Sequence, residues 1–408
     1  MAESGSTAAG AFSPEARRNL LILVIAQALG GASAPIVISL GGVVGKILAP
    51  GGALVTVPVS LYNLGLALGT IPAALIMRRL GRQPGYFIGA LVSILAGMTA
   101  AGGIWLGSFA LFCTGTLMAG LYASYVQSYR FAAADVAPPE ARARAISWVM
   151  IGGLFAAIIG PQMVIWTRDS IHGVPYAGGF LGQAALAVLA LPVLAQLRLP
   201  RGAATVPSGS PAAPAGRPLS EIARQPRFLL AVASGVVSYG LMSFVMTAAP
   251  VAIVGCGFSV GQAALGIQWH VLAMFAPSFV TGRLVTRFGK EKVTVTGLLL
   301  IAISAIVALS GLELGHFWIS LILLGVGWNF GFIGATAMVT DCHTPEERTR
   351  VQGLNDFLVF GSTAAASFLS GTLLTAGGWA LINTVVFPVV AVILMPLLWR
   401  MTRGPAVA

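Results

Sequence analysis

Met242 and Met246 stand four residues apart in the apolar stretch YGLMSFVMTA, and His270 and Met274 stand at the same spacing in GIQWHVLAMF. Four residues is about one helical turn, so each pair occupies one helix face. Thioether sulfur is a soft, neutral donor, and imidazole can be neutral too. Such a set suits Cu(I), whereas zinc prefers thiolate, imidazole or carboxylate. Neutral ligands also let cargo go more readily than thiolates, which fits an ion in passage. The plainer reading is packing: methionine fills gaps flexibly, and a lone buried histidine is more often a hydrogen-bonded or proton-handling group. The conjunction favours a site, because no other Met-x-x-x-Met or His-x-x-x-Met occurs in the 408 residues.

Such side chains need elements to hold them. The chain is 57% hydrophobic and only 9% charged, against roughly 25% charged in a soluble protein. It therefore reads as an all-α membrane protein, and its 51 glycines suit close helix approach. Runs of about 20 apolar residues, enough to cross a bilayer, fall near 19–42, 53–77, 85–106, 108–133, 145–167, 176–197, 228–252, 261–285, 292–312, 316–340, 352–375 and 378–400. Twelve transmembrane helices are expected, with no cleavable signal peptide ahead of the first. If the N-terminus is cytoplasmic, all 23 basic residues except Lys46 and Arg168 lie on the inner side, as the positive-inside rule requires. The net charge of +11 is thus a topology signal and argues against nucleic acid as a partner. On this map Met242, Met246, His270 and Met274 overlap in depth, with His270 about 13 Å below the outer surface.

The Pro-, Gly- and Ala-rich stretch 199–220 reads as a cytoplasmic linker between a first bundle, 1–198, and a second, 221–408. The two halves repeat. ADVAPPEARARA aligns with TDCHTPEERTRV, pairing Asp135 with Asp341, Pro139 with Pro345 and Glu140 with Glu346 at an offset of 206. MRRLGRQ aligns with VTRFGKE at an offset of 208, pairing Arg79, Gly81 and Arg82 with Arg287, Gly289 and Lys290. Parallel six-helix repeats resemble the major facilitator superfamily, whose substrates bind near the midplane between the halves. The loop holding Arg79, Gly81 and Arg82 is similar to that family's motif after the second helix. Arg78 and Thr286 stand where the family pattern has an acidic residue.

No Walker motif, phosphate-cradling loop or nucleophile elbow is present, so the chain reads as a carrier and not an enzyme. By the span map every acidic residue, Asp356 included, lies in a tail, a loop or a helix end, which leaves no carboxylate for a mid-membrane relay. The Met-x-x-x-Met and His-x-x-x-Met pairs in spans 7 and 8 resemble the CcoA-like copper importers of the superfamily. That resemblance implies copper-site roles for Met242, Met246, His270 and Met274, with Cys256 and Cys113 as a possible thiol relay. It also implies a bacterial inner-membrane monomer, without a permanently bound cofactor, importing copper for cbb3-type cytochrome oxidase assembly. Riboflavin importers of the same branch are the alternative. A flavin site needs aromatic and amide groups, and Tyr62, Asn63, Tyr122, Tyr125, Gln127, Trp269, Trp328 and Asn329 are candidates. A proton-coupled exporter of apolar compounds, with His270 as proton carrier, is a third reading.

Overall fold

The computed structural model describes residues 12–138, 141–199, 216–344 and 346–402, and no strand occurs among them. Most of the expected linker, with Pro139, Glu140 and Pro345, lies outside the described residues. The first half contains α1 (Pro14–Gly31), α2 (Ser33–Leu48), α3 (Val57–Leu80), α4 (Arg82–Trp105), α5 (Phe109–Gln127), α6 (Tyr129–Asp135), α7 (Arg142–Thr167) and α8 (Ala177–Ala195). The short α9 (Leu219–Ala223) precedes the second half. There follow α10 (Pro226–Gly255), α11 (Val260–Phe275), α12 (Ser278–Phe288), α13 (Lys290–Leu309), α14 (Leu314–Val339) and α15 (Arg348–Thr402).

Local chemistry explains the boundaries. Ser13 starts α1 by accepting a hydrogen bond from the Ala16 N–H at 3.1 Å, with Pro14 in the first turn, where no donor is needed. The first span breaks at Ala32 because Pro35 has no N–H for the Gly31 carbonyl. Ser259 and Gln262 form a reciprocal capping box at the start of α11.

Ten helical segments among the described residues are long and apolar enough to cross a bilayer, and the bent pair α11–α12 makes an eleventh. The last of the ten, Arg350–Thr402, has 53 residues, about 80 Å if straight against a hydrocarbon core of about 30 Å. It folds back at Gly378, whose φ of 67° and ψ of −163° belong to a region essentially closed to other residues. Read as two spans, it brings the total to the twelve expected.

The internal repeat is visible in the backbone. Gly81 ends α3 with φ 95°, and Gly289 ends α12 with φ 91°. The next residue is a cation in both cases, and it meets the paired aspartate: Arg82 contacts Asp135, and Lys290 Nζ lies 2.5 Å from Asp341 Oδ1. Within the first half, α3 and α5 pack through Gly65, Gly69 and Gly120. A Cβ at Gly120 would overlap the Tyr62 carbonyl oxygen, so this seam depends on the absent side chain.

Candidate functional site

The face carrying Arg82, Arg227 and Lys290 is the basic face, and the opposite one is the far face. On the far side the halves are joined. Thr56 Oγ1 donates to the Ser367 carbonyl at 3.1 Å, and Ser60 Oγ to Ser367 Oγ at 3.0 Å. Thr375 Oγ1 donates to the Gly52 carbonyl at 2.8 Å, Asn63 Nδ2 to Ser243 Oγ at 3.4 Å, and Gln162 Nε2 to Gln268 Oε1 at 3.0 Å. No hydrogen bond or ion pair between described residues joins the halves nearer the basic face. Among the described residues, the hydrogen bonds that join the halves all lie on the far side.

An aromatic cluster stands near mid-span in the second half. The Tyr239 ring meets Trp328, Phe332 and Phe360 edge-on at 5.2, 5.0 and 5.8 Å. Trp328 stacks on Phe332 at 5.4 Å, and Phe275 meets Trp328 at 6.1 Å. Four spans thus contribute to one aromatic wall, a surface suited to a flat ring. Tyr239, Phe275, Phe332 and Phe360 are only half-buried, whereas Trp328 is buried behind them.

Two opposite charges lie beside this wall. Arg130 of α6 is close enough for its charge to act on Asp356 of α15 and on Tyr239. The two charges make no ion pair, and Arg130 Nε is buried without a partner. Asp356 is the ninth residue of α15, about 12 Å into the helix. The sequence map put it at a helix end because that helix begins four residues earlier than its apolar run. A charge from each half inside the spans is a functional feature by default.

The soft donors lie elsewhere. Met242, Met246, His270 and Met274 are all buried in the second half, within its main hydrophobic cluster or, for His270, beside it. His270 is 0% exposed, and its Nδ1 lies 2.7 Å from the Leu321 carbonyl on α14. A carbonyl only accepts, so Nδ1 carries the proton and Nε2 presents its lone pair. That Nε2 is buried without a partner. Cys113 is buried and Cys256 exposed, both as free thiols.

Of the organic-pocket candidates, Trp328 belongs to the aromatic wall and Asn63 to the seam between halves. Tyr62, Tyr122 and Tyr125 are packed within the first half, while Gln127 is exposed and Trp269 is 43% exposed. Asn329 has a structural task. Pro277 interrupts the eighth span, which bends by 42°, and Asn329 Nδ2 donates to the Met274 carbonyl at 2.7 Å and to Ser278 Oγ at 2.6 Å. Its Oδ1 accepts from Thr281 Oγ1 at 2.5 Å, so one amide satisfies both sides of the break. Of the loop-motif residues, Arg79 is exposed, and the Arg287 guanidinium lies 5.2 Å from the Phe288 ring centre. Tyr239, Phe275, Phe332, Phe360, Arg130, Gln162 and Gln268 stand in no motif of the sequence. Their signal was polar and aromatic residues recurring inside apolar runs.

The family model of the Major Facilitator Superfamily matches residues 20–277 and 234–407. The chain belongs to the major facilitator superfamily. As a facilitator it is similar, at 64% identity over 96% of its length and 98% of the relative's, to the riboflavin transporter RfnT of Brucella anthropi. It is 29% identical to the MFS-type transporter YdeG of Bacillus subtilis, over 95% of this chain and 93% of that one. Among solved structures it resembles a mutant of the nucleoside transporter NupG, with a TM-score of 0.74 at 13% identity, covering 93% of this chain and 99% of that one. That last likeness concerns the fold alone.

Proposed function

We propose that this facilitator carries riboflavin across the bacterial inner membrane, inward, by alternating access between its halves. The observation that carries the reading is the 64% identity to a riboflavin transporter along nearly the whole of both chains. The aromatic wall of Tyr239, Trp328, Phe332, Phe360 and Phe275 supports it, because a flavin is a flat tricycle that binds by stacking. The basic face is the cytoplasmic one in this account, with both termini inside. The protein works as a monomer, with the bilayer as its surroundings.

A second reading, import of copper as Cu(I) for cytochrome oxidase assembly, rests on one observation: the unpartnered Nε2 of His270 among buried methionines. It is the weaker reading, since His270 is sealed inside the second half and faces α14 rather than the space between halves. Uptake of labelled riboflavin and of labelled copper, in cells lacking their own importers, separates the two. Riboflavin uptake that depends on Trp328 supports the first reading. Copper uptake that depends on His270, without riboflavin uptake, supports the second.

A further inference from the structure

The hydrogen bond between Gln162 on α7 and Gln268 on α11 crosses between the halves inside the spans. Gln162 donates one Nε2 hydrogen and Gln268 accepts it on Oε1, which leaves Gln162 Oε1 and Gln268 Nε2 without partners among the described residues. Gln268 is 8% exposed and Gln162 half-buried, and neither free atom is among those fully sealed without a partner. The bridged pair therefore offers one free acceptor from the first half and one free donor from the second. Exchanging O and N in both amides changes which residue supplies which, and the offer stays the same.

The position of Gln268 links this pair to the aromatic wall. Gln268 and Phe275 are seven residues apart on α11, two turns and about 10 Å along one helix face. Gln162 lies about 8 Å, and Gln268 about 12 Å, from the far-face ends of their helices. The amides thus stand between the aromatic wall and the joined far face, where a flat ring on the wall would direct one edge.

We propose that Gln162 and Gln268 read the pyrimidinedione edge of the flavin and set the carrier's specificity for it. This rests on the riboflavin reading above. That edge presents an N3–H between two carbonyls. The free amide oxygen accepts from N3–H, and the free amide N–H donates to a neighbouring carbonyl. It is the paired donor–acceptor logic by which side-chain amides read the edges of bases. A site built on such pairs rejects an analogue lacking the donor, because its own polar atom then loses water and gains nothing.

Competition against labelled riboflavin uptake tests the assignment, using unlabelled riboflavin and 3-methylriboflavin, in which a methyl group replaces the N3 hydrogen. For the wild type, 3-methylriboflavin should compete at least about tenfold more weakly than riboflavin. In Gln162→Leu and Gln268→Met, half-saturation by riboflavin should rise by a similar factor, and the preference should shrink below about threefold. Equal competition by the two compounds in the wild type overturns the assignment while leaving riboflavin transport intact. Absence of riboflavin uptake in the wild type removes the underlying reading instead. If the variants do not reach the membrane, the wild-type competition curves alone decide.

Discussion

Lys290 Nζ lies 2.5 Å from Asp341 Oδ1, at the place in the second half where Arg82 meets Asp135 in the first. Each pair ties the turn that opens the third helix of its half to the end of the fourth. The second half adds a cation, since Arg227 also reaches Asp341, at 2.7 Å. Removing the carboxylate therefore has unequal consequences. Asp341→Asn leaves two cations facing each other, whereas Asp135→Asn leaves one. These side chains are partly exposed, so each loss costs no more than about 1 kcal/mol. Thermal unfolding in detergent should show a larger fall in apparent Tm for Asp341→Asn, with the difference shrinking at high salt. Equal shifts would show that Arg227 contributes nothing.

Gly120 tests the packing of the first half. Gly120→Ala forces a methyl group against the Tyr62 carbonyl, and backbone cannot yield as a flexible side chain can. A cost of about 1–3 kcal/mol is expected, seen as lower apparent Tm and reduced yield of folded protein. Gly153→Ala, where a Cβ meets nothing within 4 Å, serves as the control and should behave like wild type.

Asn329 tests the bend in the eighth span. Asn329→Leu leaves the Met274 carbonyl and the Ser278 hydroxyl without their shared partner, while the Thr281 hydroxyl keeps its bond to the Pro277 carbonyl. Each unsatisfied buried group costs about 1–3 kcal/mol, so the loss of Tm should exceed that of either aspartate variant. Because the bend positions Phe275 against Trp328, riboflavin uptake should fall with it. Wild-type stability in Asn329→Leu would mean that Pro277 alone sets the bend.

Arg217 and Glu347 give the linker a pH response. The Arg217 side chain grips Glu347 with two bonds of 2.9 Å, and the Thr344 N–H adds a third at 3.0 Å. The guanidinium and that N–H hold the Glu347 carboxyl down to about 2. A carboxyl depressed in the folded state stabilises it fully above its ordinary range near 4.5, and that contribution fades as pH falls toward 2. Limited proteolysis of the linker should therefore be constant from pH 8 to 5 in the wild type. Arg217→Gln should make the linker more susceptible already at pH 7. Susceptibility that rises in the wild type between pH 7 and 5 would contradict this clasp.

The span count, the break between 375 and 378 and the paired Arg82 and Lys290 were legible because hydropathy and charge act locally. Depth along a helix follows from counting residues, and the count sets His270 and Met242 at overlapping levels. Direction around the helix was not legible. His270 turns toward the Leu321 carbonyl rather than the space between the halves, a choice made by α14 and not by the stretch around His270. The aromatic wall was invisible for the same reason, since its rings come from four spans. Asn329 resembled a binding group in the sequence, yet its partners are the broken backbone and hydroxyls of the neighbouring span.

Riboflavin uptake separates a flavin carrier from a copper carrier. Labelled riboflavin is supplied to cells that lack their own importer and express wild type, Trp328→Ala or His270→Asn, with membrane levels matched. The account predicts saturable uptake by the wild type. Half-saturation should rise at least about tenfold, roughly 1.4 kcal/mol, in Trp328→Ala, whose buried ring backs the half-buried rings of the wall, and change by less than about threefold in His270→Asn. Absence of riboflavin uptake, together with copper accumulation that disappears in His270→Asn, would contradict it.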